Sequence, residues 1–307
     1  MDINLVNDIA RRLGYGKTDL IEKDILLQLL LHDLSSDRQF SRDFLFKGGT
    51  CLIKAYAGYF RFSEDLDFTY RNQEEFSGMS GSKIRSYLSA KISDMAKMLE
   101  GIASGRGMDF RADQEHMERG GSNKSVTFKI FYDSVVLRRR AFIKIQVSFV
   151  ERICLKPKRK RLDPLAAGAD DRELRRLYPD YAEYVKPVYF MAYDEREIAA
   201  EKVRAILTRM GTKGRDFFDL YMLYQRFGIT PRSVERYSIV KTRFALQTYE
   251  KYRRQFRERA ESGVRFPDLA GEQDMLIVRP DAKRFLTFSR GLEAYMVELV
   301  ARLRQED

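Results

Sequence analysis

The residues whose types and spacing could do chemistry fall in two short runs: Phe46-Lys47-Gly48-Gly49-Thr50-Cys51-Leu52 and, after residues 53–60, Arg61-Phe62-Ser63-Glu64-Asp65-Leu66-Asp67-Phe68. A Gly-Gly turn lets the backbone come close to an anion, since neither residue carries a Cβ to block the approach. A helix opening at Thr50 would aim free N–H groups and the positive end of its dipole at a phosphate. Asp65 and Asp67 stand two apart, so on a strand their carboxylates share a face. Such a pair is a natural clamp for Mg2+, with Mn2+ as an alternative, because magnesium takes a few hard oxygen ligands and completes its octahedron with water and substrate phosphates. Singly, each feature is commonplace: Gly-Gly is an ordinary turn and Asp-x-Asp often a solvated strand edge. In the order strand, Gly-Gly, helix, Asp-x-Asp strand, they point to a phosphate and metal site.

The elements that must position these residues can be read from periodicity. Residues 2–13 and a segment opening at Thr18 or Asp19 read as helices, the second with a broad apolar stripe from Leu20 to Leu34 that should pack on a sheet. Phe44-Leu45-Phe46 reads as a strand, residues 50–57 as a helix, and 66–70 as the next strand. A helical stretch at 82–99 precedes β-like runs at 125–132 and 141–149. The basic run Lys156 to Arg161 opens an irregular stretch to Pro179 that reads as an exposed loop, followed by a candidate strand at 186–193. Beyond Asp194 the pattern is helical: 195–210, 215–224, 233–256 and 281–304. The expected architecture is an α+β domain with a mixed sheet over 1–193, followed by an α-helical C-terminal domain over 194–307.

Composition sets the limits. With 44% hydrophobic residues, 21 Phe and 17 Tyr, the chain is a folded protein, and its net charge of +11 favours polyanionic partners such as RNA or nucleoside triphosphates. Cys51 and Cys154 are isolated and each lies in an apolar run, which argues against a disulfide framework or a zinc cage and suits a reducing cytoplasm. His32 and His116 lack metal-ligand spacing and read as ordinary polar residues. The most apolar segment, Ile25 to Leu31, is too short to span a bilayer, so no membrane association is expected.

The Lys-Gly-Gly-Thr run followed by Arg-x-Ser-x-Asp-x-Asp resembles the AbiEii nucleotidyltransferase toxins, including the MenT group. The resemblance covers most of the chain: Ile143-Lys144-Ile145-Gln146-Val147-Ser148 is similar to the family's second strand motif. Glu201-Lys202-Val203-Arg204-Ala205, Arg209 and Arg215-Asp216-Phe217-Phe218-Asp219-Leu220-Tyr221 resemble its C-terminal signature. It implies a polymerase-β-like nucleotidyltransferase domain and an abortive-infection, phage-defence or toxin–antitoxin setting with a cognate antitoxin. The implied reaction is transfer of a nucleoside monophosphate from a nucleoside triphosphate to RNA, the tRNA 3′ end in some relatives. By position, Asp65 and Asp67 would hold the metal, Ser63 and the Gly48-Gly49-Thr50 turn the phosphate, and Lys202 and Asp216 would complete the site from the helical domain. Lys47 and Arg61 would be charge partners.

One position departs from the common nucleotidyltransferase pattern. A third carboxylate often stands where this chain has Gln146, and an amide binds Mg2+ poorly, so either one metal suffices or the acid comes from elsewhere, with Asp216 the candidate. Plainer readings stand beside the later motifs. Lys144 could point to solvent, Lys202 and Arg209 could form a surface basic face, and Arg215-Asp216 could be an ion pair at a helix start. Arg138 to Arg140 and Lys156 to Arg161 could track an RNA backbone or simply be solvated. Transfer to a protein side chain, or nucleotide and RNA binding without turnover, are the alternatives in function.

Overall fold

The computed structural model describes residues 1–167, 172–266 and 273–305. The chain divides into two compact units: residues 1–150 with 158–192, and residues 151–157 with 193–307.

The first unit holds a seven-stranded mixed sheet in the order β3-β4-β5-β2-β1-β7-β6. Its strands are β1 (Phe44–Lys47), β2 (Asp65–Tyr70), β3 (Met117–Gly120), β4 (Ser125–Ser134), β5 (Arg139–Ser148), β6 (Lys158–Leu162) and β7 (Val188–Ala192). β2 runs antiparallel to β1 and parallel to β5, while β7 runs parallel to β1. The helices are α1 (Ile3–Leu13), α2 (Thr18–Ser36), α3 (Arg38–Asp43), α4 (Gly48–Leu52), α5 (Gly81–Gly105), α6 (Arg172–Leu177) and α7 (Pro179–Tyr184).

Period-two alternation gives this sheet two unlike faces. Phe44 pairs with Tyr70, Phe46 with Phe68, Leu66 with Ile145 and Phe68 with Val147, so one face is apolar across β1, β2 and β5. Aromatic rings fill it: Phe68 lies 4.9 Å from Phe40, 5.2 Å from Phe46 and 5.5 Å from Phe190, centroid to centroid. The expected packing of α2 on the sheet is present as contacts with β7. Lys54 and Asp24 are buried there as a pair 2.8 Å apart, and Asp24 also accepts hydrogen bonds from the hydroxyls of Tyr59 and Tyr184, so the buried carboxylate is fully partnered. The opposite face carries Lys47, Asp65, Asp67, Lys144 and Gln146.

Three local expectations are corrected. Lys158 to Arg161 is not loop but the body of edge strand β6, antiparallel to β7; a row of cations suits an edge because it discourages pairing with another chain. Arg159 lies over the Tyr189 ring and Lys160 over Tyr56, contacts the charge run alone does not announce. Of the loop expected around this run, residues 168–171 lie outside the described residues, and α6 and α7 follow them. The helix expected at Thr50 starts at Gly48 and turns into a π-helical segment, Ile53–Ala57.

The second unit is helical: α8 (Glu195–Thr208), α9 (Gly214–Phe227), α10 (Glu235–Thr248), α11 (Glu250–Ser262) and α12 (Ala282–Gln305). The single helix expected over 233–256 is α10 and α11, broken at Tyr249, whose extended backbone ends one helix and caps the next. Fully buried Glu197 on α8 accepts the amides of Cys154 and Leu155 and faces Lys241 of α10 at 2.6 Å, which ties residues 151–157 to this unit. Among the described residues no helix is long and apolar enough to cross a membrane.

Candidate active site

The turn expected to hold phosphate forms where β1 runs into α4. Lys47 ends β1 in an extended conformation and Gly48 follows at φ +82°, a backbone region that favours glycine. Space demands glycine as well. A Cβ at Gly48 would sit 2.8 Å from Asp67 Cγ, and one at Gly49 would sit 2.5 Å from Arg61 Nη2. The turn therefore lies against a carboxylate on one side and a guanidinium on the other. Arg61 is buried and fixed by donation from Nη1 to the Phe62 carbonyl at 2.7 Å.

Thr50 ties the first turn of α4 to the start of β2. Its hydroxyl donates to the Asp65 carbonyl and lies 2.8 Å from Ser63 Oγ. A threonine hydroxyl has one proton, so with that proton on the Asp65 carbonyl, Ser63 is the donor within the Ser63–Thr50 pair. The four residues named for phosphate contact, Gly48, Gly49, Thr50 and Ser63, are thus brought together.

Strand register assembles the rest. Lys47 is opposite Asp67, Asp67 is opposite Gln146, and Asp65 is opposite Lys144. Residues directly opposite share a face, so the two carboxylates, two lysines and the amide occupy one polar patch. Asp65, Asp67, Lys144 and Gln146 are half-buried, whereas Lys47 is buried and reaches Ser148 Oγ at 3.4 Å. Lys144 lies beside Asp65 on this face, not on the apolar one. Two half-buried carboxylates beside a phosphate turn suit one hard divalent cation that keeps water and phosphate ligands, and do not suit an all-protein cage. Among the described residues no group of three or more His, Cys, Asp or Glu is placed to hold a metal.

Lys202 and Asp216 come together in the second unit. Lys202 Nζ lies 2.7 Å from Asp216 Oδ1 and 2.6 Å from Asp219 Oδ2, and Arg209 Nη1 lies 3.3 Å from Asp216 Oδ2. Burial alone would push the Asp216 carboxyl up, but the Lys202 and Arg209 cations outweigh it and hold the group down to about 2. The sequence reading did not single out Asp219; its position three residues after Asp216, on the same helical face, was the available signal. Arg259 of α11 was also missed. It donates to the carbonyls of Arg209 and Gly211 at 3.0 and 2.9 Å and to Thr212 Oγ1 at 3.1 Å, pinning the loop that carries Arg209.

Other candidates have local roles. Arg140 pairs with Glu115 and Asp109 and covers the Phe131 ring at 3.9 Å. His116 is buried against Asp113, and His32 meets the Lys186 carbonyl. Burial pushes both thiols up, Cys51 strongly, which removes them as thiolate nucleophiles.

The family model for the nucleotidyl transferase AbiEii toxin of type IV toxin–antitoxin systems matches residues 29–293. No curated protein matches the chain. Among solved structures, MenT4, a nucleotidyltransferase toxin from Mycobacterium tuberculosis H37Rv, is 20% identical with a TM-score of 0.59, covering 99% of this chain and 92% of that one. JHP933 from Helicobacter pylori is 13% identical with a TM-score of 0.43, covering 94% and 96%. The first likeness shows a shared α+β fold, and the family match spans the sheet, the Gly-Gly turn, Asp65, Asp67, Lys202 and Asp216 alike. The chain belongs to the AbiEii nucleotidyltransferase toxin family.

Proposed function

We propose that this protein transfers a nucleoside monophosphate from a nucleoside triphosphate to RNA, with the tRNA 3′ end as acceptor, in an Mg2+-dependent reaction. The observation that carries this reading is the seating of the Gly48 turn against Asp67, with Lys47, Asp65 and Lys144 on the same face. The acceptor hydroxyl oxygen attacks the α-phosphorus, the bond to the bridging oxygen breaks, pyrophosphate leaves with that electron pair, and the hydroxyl proton passes to solvent. Mg2+ held by Asp65 and Asp67 would supply positive charge to the phosphate oxygens.

The chain's own groups orient the triphosphate. Amides of the Gly48-Gly49-Thr50 turn donate to phosphate oxygens and the Ser63 hydroxyl turns its one proton from Thr50 Oγ1 to a phosphate oxygen, while Lys47, Arg61 and Lys144 offset the phosphate charge. Within the second unit, Asp216 and Asp219 hold the Lys202 ammonium in one orientation. Both Asp216 oxygens are engaged by cations, which favours a single-metal site over one in which Asp216 replaces the missing acid at Gln146. Membership of a toxin–antitoxin family supports a cognate antitoxin as partner.

The test incubates the protein with total RNA, Mg2+ and each labelled nucleoside triphosphate in turn. Label should enter RNA, concentrate at tRNA 3′ ends, and vanish on chelation and in the Asp65→Ala/Asp67→Ala variant. Label that survives in that variant defeats the site assignment; label that follows protein on a gel defeats the RNA acceptor.

A further inference from the structure

Within the second unit, α9 and α12 leave a groove between them with a cavity of about 840 Å³. Its wall is aromatic. Tyr224 and Phe288 stack with ring centroids 5.7 Å apart and planes 18° apart, and Tyr221 meets Phe288 edge-on at 5.4 Å. Tyr224 is 42% exposed, a large apolar surface to leave in water. Gly291 keeps the groove open: a Cβ there would meet nothing within 4 Å.

The charged groups lining the groove are of one sign. Lys283 and Arg284, in the first turn of α12, and Arg232 line it, and no carboxylate does. Arg232 is committed to Glu298 at 2.7 Å and to the Tyr295 ring. Neither Lys283 nor Arg284 has an ion-pair partner among the described residues. Gln225, Thr230 and Thr287 add hydrogen-bonding groups that neutral base edges can use.

We propose that this groove binds an unstacked nucleotide of single-stranded RNA, its base against Tyr224 and Phe288 and its phosphates at Lys283 and Arg284. Flat rings flanked by unneutralised cations match a base and its backbone, since every base offers a π-face and every linkage a charge. An amphipathic peptide helix would need a row of aliphatic contacts, and here Leu292 and Pro231 are the aliphatic lining, both buried. The inference rests on RNA as the substrate class and deepens that reading by adding a second place where RNA is held.

The experiment measures binding of the full chain, without nucleoside triphosphate, to an end-labelled single-stranded oligoribonucleotide by fluorescence anisotropy. A matched oligoribonucleotide with abasic sites at its centre keeps the phosphates and removes the bases. The base-containing probe should bind about ten-fold more tightly or better. Tyr224→Ala and, independently, Gly291→Met, which fills the groove while favouring the helix, should erase that advantage. A Lys283→Ala/Arg284→Ala variant should weaken both probes and lower the salt slope by about 0.7 for each lost phosphate contact.

Equal affinity for the two probes overturns the proposal, as does an advantage that persists in both groove variants. Displacement of the probe by polyglutamate as effectively as by unlabelled RNA also overturns it, in favour of an acidic peptide. Nucleotide transfer is read in a separate assay. A chain that shows the base advantage yet labels no RNA refutes the transfer reading and leaves the groove standing, while one that labels RNA without the advantage does the reverse.

Discussion

Asp65 and Asp67 in the first unit, and Asp216 and Asp219 in the second, are both carboxylate pairs on one face of one element, yet their surroundings differ. The first pair is half-buried on an open polar face, beside a turn that excludes side chains. The second is buried, 2% and 0% exposed, and locked to Lys202 and Arg209. A half-solvated carboxylate can exchange water for a metal and a phosphate oxygen. A buried one must be neutralised by the protein itself. The first pair is therefore suited to ligands, and the second to holding a cation in place.

Substitution should separate the two pairs. In Asp65→Ala/Asp67→Ala, nucleotide transfer should fall at least ~100-fold, with stability within about 1 kcal/mol of the parent, read by label incorporation and urea unfolding. Asp219→Ala should do more to the fold. Removing one partner of a buried pair leaves the Lys202 ammonium undercompensated, at a cost of roughly 3–5 kcal/mol. An unfolding midpoint that does not move would show that the cluster relaxes into water and is no longer distinct from the first pair.

Gly48→Ala tests the turn from the opposite direction. Positive φ and collision with Asp67 should together cost about 3 kcal/mol and displace the carboxylate, so stability and transfer fall together. Transfer that falls while the unfolding midpoint holds would mean that the clash is relieved locally.

The smallest effect belongs to Asp216 and appears only in acid. Its carboxyl is held down from the ordinary 3.8 to about 2, so the folded state binds its proton less readily than the unfolded chain. That contribution is full above about pH 4 and is lost as the pH falls toward 2; it amounts to ~2 kcal/mol. The stability gap between the parent and Asp216→Asn should narrow over that window. A gap that is constant between pH 5 and pH 2 would remove the ionic account of the cluster.

The sequence by itself determined the residues that local pattern controls. Gly-Gly and Asp-x-Asp are each set within two or three residues, so φ freedom already gives an anion-accepting turn and strand alternation already places two carboxylates on one face. The helical run after Asp194 was legible for the same reason, since its period is local. Long-range pairing was not legible. The cations of β6 read as loop because nothing in a charge run announces the neighbour β7 that makes it a strand. Asp219 acquires its importance from Lys202, seventeen positions earlier and one helix away. Register likewise set Lys144 beside Asp65 and put Gln146 opposite Asp67. These arrangements rest on burial and pairing between segments distant in sequence, whose energies depend on what surrounds each group, and so only the tertiary structure decides them.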